Sequence, residues 1–195
     1  MGQTTDMAMI ADLRKELERE AEEENIPILR RAERKLLLEA AAAADPKKIL
    51  EVGTAIGYSA LLLAEYFPLA EIDTIEIDAL RNERAVSVMQ AAGFEQRVRC
   101  HWGDAGEVLS ALAGPYDFVY LDGPKGQYLR HLKLIEPKLL RRIMFFSEDW
   151  CEAGTLWRIG TGRLSHACGN TSNMWKLIMI RLSMKRATVL QCQGR

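Results

Sequence analysis

Acidic residues recur in this chain at one kind of place, the end of a short apolar run. Glu51 lies at the end of KKILEVG, Glu76 at the end of EIDTIEID, Asp104 after RVRCHWG, Asp122 after YDFVYL, and Glu148 and Asp149 after RIMFFS. A carboxylate in such a position can accept hydrogen bonds from hydroxyl groups, attract a cationic ligand or bind a hard metal ion. Lys125 follows Asp122 in the same Asp-Gly-Pro-Lys loop. Beside a dication its ammonium form is disfavoured, so it could accept a proton. Gly53 and Gly57 bend the chain between Glu51 and the apolar run that starts at Tyr58.

Three glycine corners compete for that bend. A phosphate loop needs Gly-Lys-Ser/Thr at the helix start, but Gly57 is followed by Tyr58 and Ser59. A dinucleotide corner needs a middle glycine for close approach to pyrophosphate, and Ala55 stands there. The third corner serves a nucleoside-type ligand without a pyrophosphate. Glu51 favours it, because a carboxylate repels a pyrophosphate and suits an ammonium or sulfonium group. Glu76 at the second strand end suits two ribose hydroxyls. S-adenosylmethionine combines an amino-acid end, a cationic sulfur, a ribose and an adenine. The plain alternative is that both glycines only let a helix pack closely on a strand, which leaves two strand-end glutamates without a reason.

The elements that must position these groups follow from the periodicity. Residues 6–24 read as a helix, with Met9, Ile10, Leu13 and Leu17 at helical spacing, and a second helix runs from Leu29 to the alanines before Asp45-Pro46. Five strands then alternate with single helices, so the strands are parallel in an open α/β sheet covered on both faces. Ligands bind such sheets beyond the carboxyl ends of the strands, where the acids gather. His101 and His131 read as structural or exposed, and the run Glu16–Glu24 as a solvated helix face.

The 195 residues make one domain with a short extension, and 48% apolar content is enough for a full core. A net charge of −1 excludes a global field for nucleic acid or anionic membrane, leaving only local patches such as Arg30, Arg31, Arg34 and Lys35. No stretch is long and apolar enough to span a bilayer, and the N-terminal residues lack the basic-then-apolar order of a signal peptide. Cys100, Cys151, Cys168 and Cys192 have no metal-ligand spacing, so reduced thiols and a cytoplasmic location are expected.

Taken in this order and spacing, ILEVGTAIGYSALLLAE, TIEID, GDAGEVL and YDFVYLDGPKGQYLRHL resemble the metal-dependent class I O-methyltransferases. That family includes catechol and caffeoyl-CoA O-methyltransferases and small bacterial members that methylate tRNA 5-hydroxyuridine. The resemblance spans roughly residues 20–150. It implies a Rossmann-like fold, with residues 1–45 as a helical extension and lid, 46–150 as the S-adenosylmethionine-binding core and 151–195 as an atypical tail. Carried over by position, it implies that Glu51, Gly53, Tyr58 and Ser59 hold the methionine end. Glu76 would hold the ribose, Asp104 and Ala105 would sit at the adenine, and Ile28 would close over the cofactor. Asp122 would face both cofactor and metal, and Lys125 would be the base. A divalent metal, magnesium by its preference for oxygen ligands, would be held by Asp122, Glu148 and Asp149. The acceptor would be tRNA or a small hydroxylated aromatic, with no membrane partner and a homodimer as the family's usual assembly.

Two departures stand out. The family's Asp-Asn ligand pair after the fifth strand reads Glu148-Asp149 here, and Arg141-Arg142 replace a glycine pair before it. Beyond Glu152 no acid occurs, while Arg and Lys continue, and no strand alternation is evident. A reading-frame slip near Trp150 accounts for the break, and a basic tail for RNA contact is its rival. Two other functions remain open: a nicotinamide-nucleotide oxidoreductase, disfavoured by Ala55, and a degenerate module that binds S-adenosylmethionine without turnover.

Overall fold

The computed structural model describes residues 7–123, 125–146, 155–159 and 187–190. Helices α1 (Met7–Glu23) and α2 (Arg31–Ala42) precede the alternating core. The core runs β1 (Lys48–Val52), α3 (Tyr58–Tyr66), β2 (Glu71–Glu76), α4 (Ala79–Ala91), β3 (Val98–Trp102), α5 (Ala105–Ala111), β4 (Tyr116–Leu121), α6 (Tyr128–Ile135) and β5 (Leu139–Phe146). β6 (Thr155–Ile159) and β7 (Ala187–Leu190) complete the sheet, whose order is β3-β2-β1-β4-β5-β6-β7.

The first five strands pair in parallel, as the alternation predicts. β6 and β7 add on antiparallel beyond β5. This differs from the sequence reading, which found no strand beyond Glu152. Short segments such as TLWRI and ATVL carry too few positions for a period of two to declare itself. β5 also starts earlier than RIMFFS suggests, because Pro137 confines the preceding turn to a single 3-10 loop and releases the chain at Leu139.

Both faces of the central strands are covered, and every residue of β4 is buried. On one face Ile49, Ile72, Phe118 and Tyr120 pack against α1, α2, α3 and α4. On the other, Leu50, Val52, Val119 and Leu121 pack against α5 and α6 through Leu109, Tyr128, Leu132 and Ile135. The reversal of strand order falls between β1 and β4, so a crevice must open at their carboxyl ends.

The N-terminal helix is fastened in two ways. Ile10, Leu17 and Ala21 are buried on one stripe, and a fully buried Leu or Ile contributes about 1.5–3 kcal/mol. Glu16 and Glu20 pair with Arg84 of α4 at 2.8 and 2.6 Å, and Arg14 pairs with Glu65 at 3.2 Å. Such partly exposed pairs are each worth about 1 kcal/mol or less, so the apolar stripe holds the helix and the ion pairs set its orientation. The acidic run read as a solvated face is therefore only partly one, because the basic residues that meet it come from helices distant in sequence. Among the described residues Cys100 is an unpaired thiol whose pKa burial pushes up to about 12, which makes it inert near neutrality. No helix among the described residues is long and apolar enough to cross a membrane.

Candidate active site

The corner after β1 is built on two left-handed glycines, Gly53 at φ 100° and Gly57 at φ 90°. A Cβ on Gly53 would collide with the carbonyl oxygen of Asp122, because the ends of β1 and β4 are drawn together by Asp122 N–H donating to Val52 O at 2.8 Å. A Cβ on Gly57 would press on Ala85 of α4. Close packing is thus part of the explanation for both glycines. It does not explain the side chains around them.

Those side chains enclose a cavity of about 420 Å³ at the carboxyl ends of β1, β2, β3 and β4, a size suited to a small ligand. Gly53, Glu76, Asp104, Ala105 and Asp122 line it, as does Ile28 from the segment between α1 and α2. The sequence reading named all six. Glu76 is held from two sides: Ala55 N–H donates to Oε2 at 2.8 Å and Asp78 N–H to Oε1 at 3.0 Å. Ala55 reaches this geometry at φ 46°. Each Glu76 oxygen keeps a second lone pair for a ligand hydroxyl. Asp104 caps α5 by accepting from Gly106 N–H and Glu107 N–H at 2.9 and 3.2 Å. It also lies 3.5 Å from Arg130.

Glu51 is completely buried beneath the corner. Thr74 donates to its Oε2 at 2.5 Å, whereas Oε1 has no partner in hydrogen-bonding geometry. Burial pushes its pKa up to about 7; the Ser59 and Thr74 hydroxyls oppose that, and the nearby charges of Asp122 and Glu76 reinforce it. Three carboxylates thus converge on one small volume, which a positive ligand would relieve. Tyr120 donates to Asp122 Oδ2 at 3.0 Å, fixing that carboxylate from the sheet side.

Other candidates sit differently. The Tyr58 hydroxyl donates to Glu18 of α1 at 2.8 Å, with Arg34 over its ring at 4.9 Å, so its phenol joins the helical extension to the corner. Ser59 is buried in the first turn of α3. Lys125 opens a 3-10 turn that leads into α6. Glu148 and Asp149 lie outside the described residues. Among the described residues no group of three acids, histidines or cysteines is arranged to hold a metal ion, so Asp122 is the single member of the expected ligand set that can be located.

The cavity wall also contains residues that the sequence reading did not select: Glu33 and Arg30 from the start of α2, Arg81 from α4, Gln127 from the 3-10 turn before α6, and His131 from α6. His131, read as structural because it sits at no strand end, enters the site through its helix. His101 does have a structural role, 2.8 Å from buried Asp73.

A family model described as O-methyltransferase matches residues 3–162. "Probable O-methyltransferase Rv1703c" of Mycobacterium tuberculosis is 38% identical over 113 residues, covering 53% of this chain and 48% of that protein. Catechol O-methyltransferase of Niastella koreensis is 32% identical over 92 residues, covering 45% and 42%. The chain thus spans less than half the length of each of these relatives. Among solved structures, the O-methyltransferase TomG of Streptomyces achromogenes, crystallised with SAM, superposes with a TM-score of 0.63 at 25% identity, covering 69% of this chain and 64% of TomG.

Proposed function

Since the chain belongs to the O-methyltransferase family, we propose that it binds S-adenosylmethionine in the carboxylate-lined cavity and transfers the methyl group to a hydroxyl oxygen. The acceptor class is a catechol-like aromatic, with tRNA 5-hydroxyuridine as the alternative. The observation that carries this reading is the gathering of Glu76, Asp104 and Asp122 at parallel strand ends around one cavity, with Glu51 buried beneath its glycine corner and outside the wall, and no basic residue of a phosphate loop at the corner.

In this reading Glu51 and the Gly53 corner meet the ammonium end of the cofactor, and Glu76 accepts from the ribose hydroxyls. Ile28 and Pro27 line the cavity and would shield a bound cofactor from water. The acceptor oxygen attacks the methyl carbon in line with the departing sulfur. Its proton passes to Lys125, which leaves a neutral thioether and a methylated oxygen. A divalent ion held by Asp122 with Glu148 and Asp149 would supply Lewis acidity, lowering the pKa of the acceptor hydroxyl.

Labelled methyl transfer tests this directly, using a catechol and, in parallel, bulk tRNA that lacks the modification, each with magnesium or with chelator. Transfer to either acceptor supports the activity, and the acceptor labelled identifies the substrate class. Loss of transfer on chelation supports the metal. Binding of NAD in place of S-adenosylmethionine would overturn the cofactor. A second reading, a module that binds the cofactor without turnover, is favoured by the Glu148-Asp149 departure from the family's ligands. It requires cofactor affinity with no labelled product.

A further inference from the structure

The turn that carries Lys125 stands between two hollows. Gln127 lines the cofactor cavity, whereas Gly126 lines a second, more open groove of about 480 Å³ between α5 and α6. Gly106 and Ser110 of α5 and Arg130 and Lys133 of α6 line this groove too. Arg130 and Lys133 are three residues apart on one helix, so they share a face, and both are exposed. Among the described residues no acid lines the groove. The Arg130 guanidinium lies against Gly106, in the space a Cβ there would take, and 3.5 Å from Asp104. Lys133 has no ion-pair partner among the described residues. Gly126 is an independent sign. Its φ is not left-handed, and a Cβ there would meet no atom within 4 Å among the described residues. Neither backbone nor packing therefore asks for glycine, although glycine weakens a helical turn relative to alanine. A bare backbone at this point admits a close ligand. The basic patch that the sequence offers on α2 is less available, since Arg34 pairs with Glu18 at 2.9 Å and Lys35 with Glu39 at 3.7 Å.

We propose that the α5–α6 groove is a phosphate-binding surface for an RNA acceptor, with Arg130 and Lys133 neutralising backbone phosphates beside the nucleotide that reacts at Lys125. The proposal rests on the methyl-transfer reading above, and of its two acceptors it favours RNA. A catechol ends at the reaction centre and leaves the groove empty. A nucleotide within a strand carries a phosphate on either side, so its neighbours extend past the turn into the groove. With a net charge of −1 the chain has no overall field to collect RNA, so affinity must come from a local cluster of this kind.

Filter binding of an unmodified tRNA transcript to the full chain, with S-adenosylhomocysteine present, tests this across a range of salt. Wild-type affinity falls as salt rises, and Lys133→Glu binds at least about tenfold more weakly with a salt slope reduced by about 1. At about 0.15 M salt Lys15→Glu, the same charge change on exposed α1, stays within about twofold of wild type, because a remote surface charge is screened. Gly126→Leu melts no lower than wild type and binds the transcript more weakly. Equal effects of Lys133→Glu and Lys15→Glu overturn the proposal. Displacement of the transcript by poly-L-glutamate as readily as by unlabelled tRNA assigns the groove to an acidic protein and also overturns it. Calorimetry keeps the two readings apart, since Lys133→Glu binds S-adenosylhomocysteine as wild type does. If wild type binds S-adenosylhomocysteine but no tRNA, the groove proposal falls and the catechol acceptor stands. If it binds tRNA but no S-adenosylhomocysteine, the methyl-transfer reading fails, and with it the role of the RNA as acceptor.

Discussion

Tyr58 donates its hydroxyl hydrogen to Glu18 at 2.8 Å, which ties the first residue after the glycine corner to the middle of the N-terminal helix. Arg34 completes the group, 2.9 Å from Glu18 and stacked on the Tyr58 ring. The extension is therefore joined to the corner through side chains as well as through the apolar stripe. Tyr58→Phe keeps the ring and removes the hydrogen bond. It is expected to cost about 1 kcal/mol of stability in urea unfolding. Glu18→Ala should cost more than Tyr58→Phe, since it also leaves Arg34 without its carboxylate.

Gly53→Ala tests the corner. The new methyl group meets the Asp122 carbonyl, and the residue is held at a φ that L-residues avoid. Destabilisation of at least about 2 kcal/mol is expected, together with loss of cofactor binding, because the ends of β1 and β4 must separate. Thermal melts with and without S-adenosylhomocysteine read both effects.

Glu51 links stability to pH with a definite sign. Its folded-state pKa lies well above the ordinary carboxylate value, at about 7. Its contribution is therefore fully present below the unfolded pKa and is lost as pH rises through about 7, by on the order of 3 kcal/mol. Glu51→Gln cannot ionise, so without ligand it should melt higher than wild type at pH 8 and show a smaller difference at pH 5. The same variant should bind S-adenosylmethionine at least about tenfold more weakly, as expected when a buried carboxylate facing a cation is lost.

Asp73 gives the opposite sign at the other end of the sheet. Burial raises its pKa, but the hydrogen bonds from His101 and Tyr116 and the charges of His101 and Lys48 outweigh burial and lower it. The stability it contributes is present above its unfolded pKa and is lost as pH falls through the lower folded value. Asp73→Asn should cost about 2 kcal/mol at pH 7, with the deficit shrinking as pH drops below 3.8. Denaturant unfolding across this range measures the change. Constant destabilisation at every pH would rule out the charged network as its cause.

The parallel core was legible in the sequence because its signals are local. An apolar run, a glycine turn and an amphipathic helix each declare themselves within a few residues, and in a parallel sheet every strand delivers its last residues to the same rim. That is why the positions of Glu51, Glu76, Asp104 and Asp122 after apolar runs already group them at one rim. β6 and β7 escaped notice because their pairing depends on β5 and not on any strong pattern of their own.

The alternating strand–helix order, the glycine corner and the acids beyond the strand ends are all legible in the order of the residues. Packing alone fixes that α6 turns His131, and the 3-10 turn before it Gln127, into the cavity wall, that α2 brings Glu33 there, and that the Tyr58 hydroxyl leaves the site for Glu18. The physical reason is that a strand end points at the ligand crevice in any such sheet, whereas the face a helix presents to it is set by how that helix packs on neighbours remote in the chain.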